Sequence, residues 1–158
     1  APRFRYVRGG FLQQPNYTFI LDLSSSDLAK YGNATPTQED DLLLAWAVGA
    51  TSNSNTISLV KDGMLIGNGV GQQDRVGAAK LALMRAERSK HDPKGAAAYS
   101  DSFFPFPDGP ETLIDAGIGA ILSTSGSLKD PASIELATAR NTPLYLIPDR
   151  IGRGFFGH

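Results

Sequence analysis

The sequence predicts a three-layer α/β/α domain with a mixed sheet. Three observations support this class: strand-like and helical segments alternate, one helix opens with a capping sequence, and an Asp-Gly turn marks an antiparallel hairpin. The chain has 158 residues, of which 41% are hydrophobic and 20% charged. That size and composition suit one globular domain spanning residues 1–158.

The first third of the chain predicts two short strands and a loop. Residues 4–8 alternate large and charged side chains before a Gly9-Gly10 turn, and residues 17–23 form a second strand-like stretch. Residues 24–35 are polar and contain glycine, so we expect a loop there.

A helix is predicted to begin after Thr35. Thr35 can cap it, Pro36 suits its first position, and Gln38 has the spacing of a capping box. The helix continues through residues 42–48, which are apolar almost all round, so we expect it to be largely buried.

The middle of the chain predicts a hairpin followed by a helix. Asp62-Gly63 can adopt the positive φ angles of a type I′ turn between strands at residues 56–60 and 64–67. A glycine loop at residues 67–71 then leads into an amphipathic helix that ends near Ser89.

The last third predicts two helices and two strands. One helix opens at residues 110–111 and ends near Gly117, and a buried strand follows at residues 118–122. Asp130 is expected to cap a helix that closes at Asn141, and residues 143–147 form a last strand.

Composition excludes several function classes. The chain has no cysteine, which rules out disulfides, Cys-ligated zinc, iron–sulfur clusters and a cysteine nucleophile. Its net charge of -1 and the lack of a basic stripe argue against nucleic-acid and membrane-surface partners. No apolar run approaches the roughly 18 residues of a membrane helix and no leader-like segment is recognised, so the expected location is cytoplasmic.

Three segments are candidate binding sites. The glycine loop and Arg75 could hold an anion at a helix N-terminus, or the loop could be an ordinary strand–helix turn. The polar run Thr51–Thr56 could contact a polar ligand or ion, or only cap the backbone. The segment SDSFFPFPDG could form a slot for an aromatic ligand with Asp108 at one end, or simply pack in the core.

These segments together resemble one enzyme family. The matching stretches are RYVRGG, DLLLAWAVGATSNSNTISLVKDGMLIGNGVGQQDR, SDSFFPFPDG, TSGSLKD and the terminal RGFFGH. They resemble the AICAR transformylase domain of the bifunctional enzyme AICAR transformylase/IMP cyclohydrolase, and specifically its C-terminal subdomain. The resemblance implies a cytidine-deaminase-like fold, without the zinc motif of the deaminases.

The resemblance also implies a reaction and a nucleotide site. The family moves a formyl group from 10-formyltetrahydrofolate to the 5-amino group of AICAR during purine biosynthesis. By motif, Asn55 would act at the catalytic centre and hold the carboxamide region, Arg75 would meet AICAR, and Phe103 would contact its ring. Arg153 would bind the phosphate.

A folate pocket and an ion site are implied in the same way. Asp108 would bind the pterin edge of the folate. The side chains that would line that pocket are Val76, Ser127 and Leu128. The candidates for a potassium ion are Ser54, Thr56 and Asp101.

Two departures from the family pattern limit the expected activity. The Lys-His pair of the family lies in the half that this chain does not contain, and Lys90-His91 lies between the matched motifs. The tail has one extra residue between Arg153 and His158. We therefore expect an incomplete catalyst that forms a homodimer or joins a complementing half. The alternative is a stand-alone module that binds a purine nucleotide or folate, and a third reading is an inert structural remnant.

Overall fold

Eight strands and five helices occur in residues 1–152, the part of the chain that this computed structural model describes. The strands are β1 (Pro2–Val7), β2 (Gly10–Pro15), β3 (Ala29–Tyr31), β4 (Ile57–Lys61), β5 (Met64–Gly69), β6 (Ala97–Ser100), β7 (Ala120–Ser125) and β8 (Leu144–Pro148). The helices are α1 (Pro36–Ala50), α2 (Arg75–Arg88), α3 (Asp108–Asp115), α4 (Asp130–Ala139) and α5 (Asp149–Gly152).

Six of the strands form a mixed sheet in the order β3-β8-β7-β6-β4-β5. Strands β6, β7 and β8 run parallel, whereas β3, β4 and β5 each pair antiparallel with a neighbour. Strands β1 and β2 form a separate two-stranded hairpin. The parallel strands place their carboxyl ends at one edge of the sheet, where ligands bind in open α/β sheets.

Helices cover both faces of the sheet, which confirms the predicted three-layer α/β/α class. Successive residues of a strand face opposite sides. In β8, Leu144 and Leu146 belong to the apolar cluster that includes buried residues of α2 and α3. Tyr145 and Ile147 belong instead to the cluster that includes buried residues of α1.

Helix α1 begins as predicted, and its carboxylate Asp41 anchors the neighbouring hairpin. The hydroxyl of Thr35 accepts a hydrogen bond from the Gln38 N–H at 3.1 Å, and the Gln38 side chain accepts one from the Thr35 N–H at 3.0 Å. Buried Asp41 accepts hydrogen bonds from the N–H groups of Asp62 and Gly63, at 2.9 and 2.8 Å. Both turn residues have positive φ, 50° and 75°, as the Asp-Gly signal predicts.

The glycines before α2 serve close packing between β5 and that helix. A Cβ added at Gly67 would lie 2.2 Å from the Ala82 carbonyl oxygen, and one at Gly69 would lie 2.0 Å from that of Ala78. The first turn of α2 already has an acidic cap, because Asp74 accepts a hydrogen bond from the Gly77 N–H. This geometry favours the packing interpretation of the glycine loop over the anion-binding one.

The structure corrects several element predictions. Residues 17–23 form no strand, although Leu21 and Leu23 are buried. Strands β2, β3 and β6 were not expected, and β3 lies inside the predicted loop at residues 24–35. Helix α1 exposes Leu44 despite its apolar sequence. Lys129, not Asp130, occupies the N-cap of α4, because Asp130 is the first residue of the helix.

Candidate functional site

A pocket of about 270 Å³ lies close to the carboxyl end of β6, beside the first turn of α2. Three of its residues come from three separate motifs singled out in the sequence: Asn55 before β4, Arg75 at the start of α2, and Phe103 after β6. The remaining lining residues are Gln73, Asp74, Ser102 and Pro105. The fold therefore brings together three of the four residues that the family resemblance assigns to AICAR.

Arg75 is held in this pocket by a buried carboxylate. Arg75 is 8% exposed and Asp101 is fully buried. The Nη1 of Arg75 donates to Asp101 Oδ1 and also to the Ser100 hydroxyl at 3.2 Å. Asp101 Oδ1 accepts a further hydrogen bond from the Thr56 N–H at 3.0 Å. Among the described residues only Nη1 has partners, so Nε and Nη2 remain as donors for a ligand.

Asn55 is fixed by the segment that precedes Arg75. Its Nδ2 donates to the Gln72 carbonyl at 2.8 Å, and the two backbones exchange hydrogen bonds at 3.2 Å in both directions. The Gly71 N–H donates to the Asn53 carbonyl at 3.0 Å, and the Ser54–Asn55 peptide bond is cis. With Nδ2 engaged, Oδ1 is the atom of the Asn55 amide that can accept from a ligand N–H.

A polar network that the sequence did not reveal joins the ends of the three parallel strands. Asp149, directly after β8, accepts hydrogen bonds on Oδ1 from the Ser102 hydroxyl at 3.0 Å and the Thr124 hydroxyl at 2.6 Å. The Ser102 carbonyl in turn accepts from the Ser100 and Ser123 hydroxyls at 2.7 and 3.0 Å. The available signal was an acidic residue following a predicted strand, at the edge where functional groups gather.

All four residues expected to contact folate are among those that the structure describes, and none of them lines this pocket. Val76 is half-buried in the first turn of α2, and Asp108 is exposed in the first turn of α3. Ser127 and Leu128 lie in the loop between β7 and α4, where Leu128 is 98% exposed. That loop adjoins the pocket, because a Cβ at Gly126 would lie 3.6 Å from Phe103.

The expected ion site contains one unsatisfied oxygen. Asp101 Oδ2 is buried and has no hydrogen-bond partner among the described residues. Nearby, Thr56 Oγ1 donates to the Asn53 carbonyl at 2.6 Å, and Ser54 Oγ donates to Asn55 Oδ1 at 3.4 Å. A hydroxyl that donates retains lone pairs, so the Thr56 hydroxyl can still act as an oxygen ligand.

Two tyrosines near the site have perturbed acidity. Burial raises the pKa of Tyr99, and the Asp101 carboxylate raises it further. Burial raises the pKa of Tyr17 from 10.0 to about 12. Both phenols therefore stay neutral at physiological pH.

The remaining candidates fall elsewhere. Arg153, expected to bind phosphate, lies outside the described residues. Lys90 and His91 follow the carboxyl end of α2, whereas Arg75 begins that helix. A helix of that length spans about 20 Å, so this Lys-His dipeptide is remote from the pocket.

In residues 1–152, no helix is long and apolar enough to cross a membrane.

Comparisons with known proteins give a consistent family signal. A family model described as AICARFT/IMPCHase bienzyme matches residues 1–85. Similar curated proteins include the bifunctional purine biosynthesis protein PurH of Bacillus thuringiensis (strain Al Hakam) and of Bacillus cereus (strain AH820). Each is 42% identical over 131 residues, covering 83% of this chain and 25% of the relative. The chain thus spans about a quarter of the length of these relatives.

Two solved structures were also found to be similar. RibD of Acinetobacter baumannii, form 2, aligns with a TM-score of 0.49 and 16% identity, covering 77% of this chain and 40% of that one. The dCMP deaminase from the cyanophage S-TIM5 aligns with a TM-score of 0.42 and 15% identity, covering 65% of this chain and 94% of that one.

Proposed function

The chain belongs to the AICARFT/IMPCHase bienzyme family, and we propose that it supplies the AICAR and folate contacts of a formyltransferase in purine biosynthesis. In this proposal it corresponds to the C-terminal subdomain of the AICAR transformylase domain. The observation that carries the proposal is the meeting of Asn55, Arg75 and Phe103 around one pocket.

The pocket side chains suit binding and orientation of the nucleotide. Phe103 offers an aromatic face for the imidazole ring, and the Asn55 Oδ1 atom can accept from the carboxamide N–H. The free donors of Arg75 can bind carbonyl oxygen, and the buried carboxylate of Asp101 fixes the direction of the guanidinium. Such contacts can orient the 5-amino group toward the formyl carbon. Holding two reactants in that orientation lowers the barrier to the reaction between them.

Proton transfer requires a group from outside this pocket. The 5-amino nitrogen must lose a proton as it bonds to the formyl carbon, and the departing folate nitrogen must gain one. Of the described residues that line the pocket, Asp74 and Arg75 are the ionisable ones. Asp74 caps α2, and arginine stays protonated in proteins. The missing Lys-His pair would have to come from another polypeptide or another part of a longer chain.

The folate is proposed to bind across the β7–α4 loop and the start of α3. Asp108 presents an exposed carboxylate that can accept two hydrogen bonds from a pterin edge. Leu128 and Val76 offer apolar contacts, and Ser127 a hydroxyl. The proximity of Gly126 to Phe103 supports placing this pocket beside the nucleotide.

A potassium ion is proposed beside Asp101, and the residues present fit one. Oδ2 of Asp101, which is buried and has no partner in residues 1–152, offers a carboxylate oxygen, while the hydroxyls of Thr56 and Ser54 are the candidate neutral ligands. Oxygen ligands suit hard cations. When bound, the ion would supply positive charge that stabilises the Asn55–Thr56 turn and the Asp101 carboxylate.

Calorimetric titration of AICAR tests the nucleotide site. Phe103→Ala should weaken binding by roughly tenfold or more, since a stacked aromatic contributes about 1–3 kcal/mol. Phe106→Ala is the matched control, because Phe106 lies in the same segment, is 58% exposed and does not line the pocket. Equal affinities for the wild type and the Phe103 variant would remove Phe103 from the site.

A mixing experiment separates the catalytic proposal from the binding-module alternative. The chain is combined with a polypeptide that carries the Lys-His half of the family domain, and AICAR-dependent consumption of 10-formyltetrahydrofolate is followed. The formyltransferase proposal expects turnover from the mixture and none from either part alone. Binding of both ligands without turnover from a folded mixture favours the stand-alone module.

We also propose that the chain self-associates through the β1–β2 hairpin. One face of the hairpin exposes Phe4, Tyr6 and Phe11. Because an isolated two-stranded hairpin is only marginally stable in water, a partner that covers this face would stabilise it. Residues 1–15 carry three arginines and no acid, so the rest of the chain has a net charge of -4 against a total of -1. A second copy therefore offers the complementary charge.

Sedimentation should detect a dimer that Tyr6→Ser with Phe11→Ser converts to a monomer. The matched control is Met64→Ser with Leu65→Ser, which replaces exposed apolar residues in β5. A monomeric wild type would contradict this proposal.

A further inference from the structure

We propose that Asp149 is a positioning residue that holds the nucleotide-contacting and folate-contacting segments in register. This inference rests on the proposed function. The two segments are residues 102–106, which carry Phe103, and residues 126–129, which carry Ser127 and Leu128. Asp149 contacts neither ligand in this proposal and acts through its hydrogen bonds.

A single oxygen atom links the first segment to the strand that leads directly into the second. Oδ1 of Asp149 accepts from Ser102, the residue directly before Phe103, and from Thr124, near the end of β7. Thr124 is 1% exposed and Ser102 is 2% exposed, so water does not readily replace these bonds.

Packing at Gly126 places the second segment itself against Asp149 and Phe103. A Cβ at this position would lie 3.5 Å from the Asp149 Cβ and 3.6 Å from Phe103 Cδ1. The φ angle of Gly126 is 138°, a conformation that favours glycine. The loop backbone thus approaches the phenyl ring of Phe103 and the Cβ of Asp149 together, directly before Ser127.

Loss of the carboxylate should therefore loosen both segments. Calorimetry with AICAR and, separately, with the non-reacting product tetrahydrofolate measures each site. Asp149→Ala is expected to lower the affinity for each ligand by about tenfold. The affinities of Asp149→Asn should stay within about threefold of those of the wild type. The asparagine amide oxygen can still accept from both hydroxyls.

Two further variants divide the effect between the ligands. Thr124→Val should lower the affinity for tetrahydrofolate alone, and Ser102→Ala should lower the affinity for AICAR alone. Asp115→Ala is the matched control, because it removes an exposed aspartate elsewhere that pairs with exposed Arg140. A uniform structural role would instead lower both affinities in every variant and would not be rescued by asparagine.

The outcomes separate this inference from the function on which it rests. A wild-type chain that binds neither ligand overturns both proposals. A wild type that binds both ligands, with an Asp149→Ala variant that binds either one unchanged, overturns the positioning role and leaves the proposed function standing. If Asp149→Ala does not fold, the Thr124 and Ser102 variants decide, and equal effects on both ligands overturn the inference.

Discussion

Removing the Asp101 carboxylate is the most informative perturbation of the site. Asp101→Ala leaves the guanidinium of Arg75 and the N–H of Thr56 buried without their acceptor. Each orphaned donor costs about 1–3 kcal/mol, and breaking a buried ion pair from one side costs about 3–5 kcal/mol. We expect the free energy of unfolding to fall by about 3–5 kcal/mol. For a chain of this size the melting temperature should then drop by about 6–20 °C.

Urea titration followed by circular dichroism measures this loss. The double variant Arg75→Met with Asp101→Asn removes both charges and keeps an acceptor for Thr56. It should recover more than half of the loss, since replacing a whole buried pair is often nearly neutral. A single variant within about 1 kcal/mol of the wild type, or a double variant no more stable than the single one, would refute the role assigned to the pair.

Three further predictions concern packing, pH and the ion. Gly69→Ala should cost at least about 1–3 kcal/mol because its Cβ would overlap the Ala78 carbonyl, while Gly10→Ala, with open space around it, should change little. Chemical denaturation measures both, and equal stabilities would contradict the packing account. Between pH 10 and about 12 the folded chain keeps a proton on Tyr17 that the unfolded chain loses, so the free energy of unfolding should fall as pH rises. Tyr17→Phe should make that slope less steep, because Tyr99, whose pKa is also raised, still contributes to it, and an unchanged slope would exclude Tyr17 as a source. Replacing sodium with potassium should raise the melting temperature of the wild type but not of Asp101→Asn, and equal shifts in both would argue against the ion site.

Local signals predicted those elements whose structure is determined locally. The capping box of Thr35 and Gln38 and the Asp62-Gly63 turn depend on residues adjacent in sequence, and both are confirmed. Strand β6 has the sequence AAYS, and alanine has little intrinsic preference for strands. Its place at the centre of the sheet comes from burial on both faces, which no short window of sequence reveals.

The grouping of candidate residues around one pocket was predictable for residues in long motifs and not for a residue that stands alone. Asn55, Arg75 and Phe103 belong to extended motifs, and the structure places them around one pocket. Asp149 stands alone after a strand, and its partners Ser102 and Thr124 come from two other strand ends. Only the parallel order of β6, β7 and β8 brings these groups together.

Titration of AICAR into the isotope-labelled chain, followed by amide chemical shifts, tests the central claim most directly. The account predicts saturable shifts at Asn55, Gln73, Arg75, Ser102 and Phe103, which line one pocket. The N–H groups of the β1–β2 hairpin should not move with ligand in a chain whose Tyr6 and Phe11 are replaced by serine. An absence of shifts at saturating AICAR, or shifts confined to residues away from the pocket, would contradict it.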